Sequence, residues 1–246
     1  MRLLFVTKPH LPVVGGAQLT THHLVAALAA RGHDVMVLAQ ARRRNGWPSR
    51  GPGASEYPVV TSERPDAELA RVVRSFRPDA VVVGTYGISS RAWTRSLLRA
   101  CADVPTVLYL HDVGNIELCR EEAKRIDLVL AVSDFVSAEC TAAGVEASTV
   151  RPIVERADYR VSTSRRAVLF VSPVPNKGLA TAMALAGARP DVEFVFQHCS
   201  HVHLDDPDAL DAWAPLHPNV TVRDPVASPL ELYGDARLLL VPSVYP

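Results

Sequence analysis

Apolar residues along this chain come in short unbroken runs. "RLLFVT" (2–7), "DVMVLA" (34–39), "DAVVVG" (79–84), "PTVLYLH" (105–111) and "DLVLAVS" (127–133) are rich in Val, Leu and Phe and lack the alternation of a half-exposed strand. Such runs predict strands buried on both faces. Between them the period changes to that of a helix. "GAQLTTHHLVAALAARGH" sets Leu19, His23, Ala26, Ala27 and Ala30 at helical spacing and ends at Gly32, a residue suited to the position after a helix. "AELARVVRSFRP", "SSRAWTRSLLRAC" and "DFVSAECTAAG" read as further helices, the last capped by Ser133 and closed by Gly144. Strands alternating with helices imply a parallel sheet covered on both sides. Ligands of such sheets bind outside the carboxyl ends of the strands. Thr7, Gly84, Thr85, His111 and Ser133 all fall at such ends.

A polar stretch, "VERADYRVSTSRR", then breaks the alternation, and a second series follows: "AVLFVS", the helix "LATAMALAGA", "EFVFQ", "NVTV", the short helix "SPLELYGDA" and "LLLVPS". This divides the chain into a first domain at 1–157, a linker at 158–165 and a second domain at 166–246. The second series is short for a doubly wound domain and stops as a strand leaves its carboxyl end, so the chain reads as truncated.

Composition narrows the functions without choosing one. Lys+Arg and Asp+Glu both number 26, and aromatic residues are 6%, which gives no electrostatic footprint or stacking platform for nucleic acid. Cys101, Cys119, Cys140 and Cys199 form no Cys-x-x-Cys pair and suit reduced thiols in the cytoplasm. The start of the chain lacks the long apolar region of a signal peptide. The basic run "ARRRNGWPSR" suits either a solvated loop or a peripheral contact with anionic lipid at the inner membrane face.

Three loops carry candidate chemistry. Gly15-Gly16 in "KPHLPVVGGAQ" lets backbone amides approach an anion at a helix start. The loop is not Gly-x-Gly-x-x-Gly, and "LAQARRR" offers no ribose-binding acid after strand two, which argues against a nicotinamide dehydrogenase. "FVSPVPNKG" places Lys177 and Gly178 just before a helix, where a cation opposes the helix dipole unless it faces a phosphate. His111-Asp112 ends a strand on the ligand-binding edge. "QHCSHVH" brings His198, Cys199, His201 and His203 together, but they crowd one loop without a second ligand cluster, so no metal site is expected. A Gly-x-Ser-x-Gly elbow is absent.

Taken in order, these segments resemble the retaining GT-B glycosyltransferases of family 4. "VTKPHLPVVGGAQLTTHHLVAALAARGHDVMVLA" resembles that family's opening strand, Gly-Gly loop and long helix. "RPDAVVVG", "VLYLHD" and "DLVLAVSDF" resemble its next strands, "FVSPVPNKG" its phosphate turn, and "ARLLLVPSVYP" the element before its Glu-seven residues-Glu motif. The resemblance implies two Rossmann-like α/β domains, the second incomplete, and transfer of a sugar from a nucleotide-diphosphate donor to an acceptor: a lipid, metabolite or glycan. It further implies that Gly15, Gly16, Ser172, Lys177 and Gly178 hold the donor phosphates and sugar. Gln18, Thr85 and Asp112 lie on the acceptor side, and His111 serves the reacting sugar. No metal cofactor is implied. Ser172-Pro173 stands where the family commonly has Gly-Arg, and the acidic pair lies beyond Pro246. Such a truncated chain is expected to bind donor poorly. A nucleotide-sugar 2-epimerase of the same architecture and a non-catalytic binding or assembly module are the alternatives.

Overall fold

Seven stretches of the first part of the chain lie side by side, all parallel, in the order β3-β2-β1-β4-β5-β6-β7. The structure is a computed structural model and describes all residues except 9, 12–14, 42–56, 86, 102, 155, 200–206, 227 and 245–246. The basic run at 42–50 and the histidines His201 and His203 therefore lie outside the described residues.

The strands are β1 (Arg2–Thr7), β2 (Asp34–Gln40), β3 (Val59–Ser62), β4 (Ala80–Thr85), β5 (Thr106–Leu110), β6 (Leu128–Ala131) and β7 (Ser148–Thr149). Helices α1 (Gly16–Ala30), α2 (Pro65–Phe76), α3 (Arg91–Ala100), α4 (Ile116–Glu121) and α5 (Asp134–Ala142) connect them. Residue parity explains the unbroken apolar runs. Leu4 and Val6 face one core with Leu69, Leu97, Ile116 and Val136 from α2 to α5. Leu3 and Phe5, on the opposite face, pack with Val25 of α1. Each fully buried Leu, Val or Phe contributes about 1.5–3 kcal/mol, so a strand apolar on both sides is stabilised only when helices cover both.

Ser133 caps α5 by accepting from the Val136 amide, and Gly144 takes a left-handed φ of 75° just past its end. On α1, Gln18, Thr20, Thr21 and Val25 are buried, and Leu24, Ala26, Leu28 and Ala29 are partly buried against the core. The second half of α1 is apolar nearly all round, so spacing did not select a face. The short edge strands β3 and β7 and the helix α4 carry too few apolar residues to stand out in the sequence.

A second compact unit begins at Glu155. It contains α6 (Arg156–Tyr159), β8 (Ala167–Val171), α7 (Leu179–Ala188), β9 (Phe194–Gln197), α8 (Pro207–Trp213), β10 (Val220–Arg223), α9 (Pro229–Tyr233) and β11 (Ala236–Leu240). Its parallel sheet runs β10-β9-β8-β11, the same winding as β3-β2-β1-β4 in the first unit. Phe170, Phe194 and Phe196 pack with Leu179, Ala182 and Ala186 of α7 on one face. Leu169 and Val195 meet Leu232 and Tyr233 on the other. Residues within 158–165 are not free of the second unit: the amide of Ser164 donates to Gly234 O at 2.9 Å, and Thr163 Oγ1 donates to Ala236 O at 2.5 Å. Among the described residues no helix is long and apolar enough to cross a membrane.

Candidate functional site

The carboxyl ends of β1, β4 and β5 bring three of the sequence-selected groups together. A Cβ placed on Gly84 would stand 3.7 Å from both His111 Nε2 and Thr7 Oγ1. That is ordinary contact distance, so the imidazole, Gly84 and the Thr7 hydroxyl are neighbours on one face of the sheet edge. The His111 amide donates to Thr85 O at 3.0 Å, which continues the β5–β4 ladder one residue past the strand. Below it the Tyr109 ring lies 4.6 Å away, tilted by 46°, and is itself fixed by its hydroxyl donating to Val150 O at 2.7 Å. Burial lowers the His111 pKa to about 4, and the neighbouring Asp112 carboxylate offsets only part of that. His111 is therefore a neutral imidazole at neutral pH.

Asp112 has a backbone task. Its Oδ2 accepts from the Gly87 amide at 2.5 Å and its Oδ1 from the Gly114 amide at 2.8 Å. It thereby caps the single turn at Val113–Asn115 and ties the loop after β4 to the loop after β5. Asn115, fully buried, extends the tie by donating to Gly87 O and Ser90 Oγ, each at 3.0 Å. Thr85 is 1% exposed, and Gln18 is buried on the first turn of α1. Gly15 is buried. Gly16, the first residue of α1, is exposed, and no described atom lies within 4 Å of where its Cβ would be.

Sequence reasoning did not find the cluster beside α1. His10 Nε2 is 2.9 Å and His22 Nδ1 2.7 Å from the Tyr57 hydroxyl. His10 is 4% exposed, and burial, helped by the charge of His22, lowers its pKa to about 4. Thirty-four residues separate His22 from Tyr57 in the chain, so no local signal connected them.

In the second unit the turn after β8 holds Ser172, Lys177 and Gly178. Ser172 takes a left-handed φ of 62°, and its amide donates to Gln197 O at 2.9 Å. Cys199, just past β9, hydrogen-bonds with Ser172. Burial pushes its thiol pKa up, while that hydrogen bond and the Lys177 charge pull it back. Lys177 is exposed at the end of the turn Pro175–Lys177. Gly178 precedes α7 with φ 85°, and a Cβ there would stand 2.1 Å from Pro242 O. Glycine at 178 thus has a packing cause as well as a helix-start position. Among the described residues no group of three His, Cys, Asp or Glu side chains is arranged to hold a metal ion.

Comparison with known proteins places these two sheets. The sequence profile described as Glycosyltransferase Family 4 matches residues 14–154. No curated protein sequence matches the chain. Among solved structures, the lipopolysaccharide outer core galactosyltransferase WaaB in its apo form is 12% identical over 99% of this chain and 74% of its own, with a TM-score of 0.59. An alpha-glucosyltransferase in complex with UDP and a 13-mer DNA is 13% identical over 94% of this chain and 68% of its own, with a TM-score of 0.62. UDP-GlcNAc 2-epimerase from Neisseria meningitidis bound to UDP-GlcNAc is 12% identical over 95% of this chain and 75% of its own, with a TM-score of 0.56. At these identities the likeness establishes the GT-B fold alone.

Proposed function

Because the chain belongs to glycosyltransferase family 4, we propose that it transfers a sugar from a nucleotide-diphosphate donor to an acceptor hydroxyl with retention of configuration. The observation that carries this reading is Gly16. Gly16, the first residue of α1, takes no left-handed φ that would require glycine. Open space surrounds the missing Cβ, yet the chain keeps glycine there, at the exposed first residue of α1. That is the arrangement an approaching diphosphate or sugar requires.

In the proposed reaction the acceptor oxygen bonds to the anomeric carbon as the bond from that carbon to the diphosphate oxygen breaks. The electron pair leaves with the nucleoside diphosphate, and the hydroxyl proton passes to the departing oxygen. The transition state carries positive charge on the sugar and negative charge on the phosphate. Lys177 and the amides at the start of α7 stabilise the phosphate. His111, neutral and held by Tyr109 and Gly84, positions the sugar without adding positive charge beside it. By resemblance to the family, the donor-side roles fall to Gly15, Ser172 and Gly178 and the acceptor-side roles to Gln18 and Thr85. Asp112 acts through the loop it pins. The cation at the leaving group comes from the chain itself, so the scheme needs no metal. An epimerase reading asks for a free carboxylate beside the sugar, and Asp112, the carboxylate nearest His111 in sequence, has both oxygens bonded to backbone amides.

UDP binding, measured by calorimetry on the whole chain, tests this. Lys177→Ala is expected to weaken it by about 10- to 100-fold, the worth of one charge-assisted hydrogen bond. Equal affinity removes Lys177 from the phosphate site. Gly16→Ala is expected to leave thermal stability equal or slightly raised while weakening UDP-sugar binding several-fold. A variant that binds UDP-sugar as tightly as the parent shows that the space at Gly16 is not used.

A further inference from the structure

The opposite face of the same sheet edge carries a group that the proposed chemistry leaves unused. Lys8 follows β1, and its ammonium stands 6.0 Å from the centroid of the Trp93 ring on α3. Side-chain parity puts Lys8 on the side of Leu4 and Val6, and Thr85 on the side of Val81 and Val83, the face covered by α2 to α5. The register Val6↔Val83, continued past the strand ends, brings Lys8 level with Thr85. Thr7, Gly84 and His111 occupy the other face, so the two groups are separate.

Two donors here are buried and unmet. Trp93 Nε1 and Thr85 Oγ1 have no hydrogen-bond partner among the described residues, and Thr85 is 1% exposed. An indole N–H can only donate. Leaving such a group buried without an acceptor forfeits its hydrogen bond to water with nothing in return. Burial also lowers the Lys8 pKa from its ordinary value, which means that its ammonium has lost part of its water. An ammonium over the Trp93 ring and an unmet threonine hydroxyl level with it at the strand ends are the kind of donor set that an oxyanion takes.

We propose that Lys8, Thr85 and Trp93 form an anion site that takes the phosphate or carboxylate group of the acceptor, so that the acceptor is an anionic small molecule. Lys8 supplies charge, and the indole N–H and threonine O–H supply direction. The assignment of that anion to an acceptor rests on the glycosyltransferase reading; the anion site itself does not.

Inorganic phosphate titrated into the whole chain at constant ionic strength tests the site, with acetate as the second arm. The indole N–H resonance of Trp93, assigned by its loss in Trp93→Phe, is the readout. Phosphate or acetate is expected to move it. Lys8→Gln is expected to weaken that response about 10-fold or more and Thr85→Val several-fold. Lys177→Gln is expected to leave the response unchanged. A response to phosphate alone identifies a phosphate-bearing acceptor, and a response to acetate alone a carboxylate-bearing one; each supports the site. A Trp93 signal that neither anion moves overturns it, as does a signal that moves as readily in Lys8→Gln and Thr85→Val as in the parent. Phosphate binding that survives Lys8→Gln but is lost in Lys177→Gln also overturns it, while leaving the donor reading intact.

Discussion

Gly178→Ala is expected to destabilise the second unit by about 2–5 kcal/mol. Two costs act together. The residue has φ 85°, where an L side chain is strained, and its Cβ would stand 2.1 Å from the carbonyl oxygen of Pro242 and 2.7 Å from the carbonyl carbon. The obstacle is backbone, so no rotamer change removes it. The segment after β11 is held against this turn a second time, by the Val244 amide donating to Asn176 O at 3.3 Å. A lower urea midpoint, with the near-ultraviolet signal of Trp213 lost before that of Trp93, is the expected result. An unchanged midpoint would mean that Pro242 withdraws without cost. Gly16→Ala makes the internal contrast: the same substitution at another helix start, with open space around it, leaves the fold unharmed.

Lowering the pH from 7 to 5 is expected to weaken the first unit well before its carboxylates titrate. His10 and His111 have folded pKa values of about 4 against an ordinary 6.5. Between those values the unfolded chain binds protons that the folded chain refuses, so stability falls as pH drops through 6.5 and levels off below 4. Each histidine contributes about 3 kcal/mol over the whole window, and a smaller part of it by pH 5. Carboxylates of the first unit such as Asp134, held below its ordinary range by the hydrogen bond from Arg151, act only at lower pH. Urea midpoints at pH 7 and 5 check this. His10→Gln should flatten the slope, since glutamine can still donate toward Tyr57 but does not titrate. A chain equally stable at both pH values would show that these rings are hydrated in solution.

Legibility of the site followed from which forces are local. Ser133 as a cap and Gly144 as a helix end were readable because one residue and its neighbours decide them. His111 was readable as a site candidate because strand ends are visible in the pattern and ligands gather there. Its low pKa was not, since that depends on Tyr109 beneath it and on burial by residues far along the chain. Asp112 looked like an acid beside a histidine. Only the folded loops revealed that Gly87, twenty-five residues away, and Gly114 take both of its oxygens.

The doubly wound architecture and its division in two were written in hydrophobic periodicity, because burial on both faces of a strand is a demand on composition that any segment meets or fails alone. The face that α1 buries, the pairing of His10 and His22 through Tyr57, the meeting of Lys8 with Trp93 and the closeness of Pro242 to Gly178 were settled only in three dimensions. Each depends on distance between residues remote in sequence, and neither charge, spacing nor periodicity along a chain encodes which of many equally suited partners will arrive.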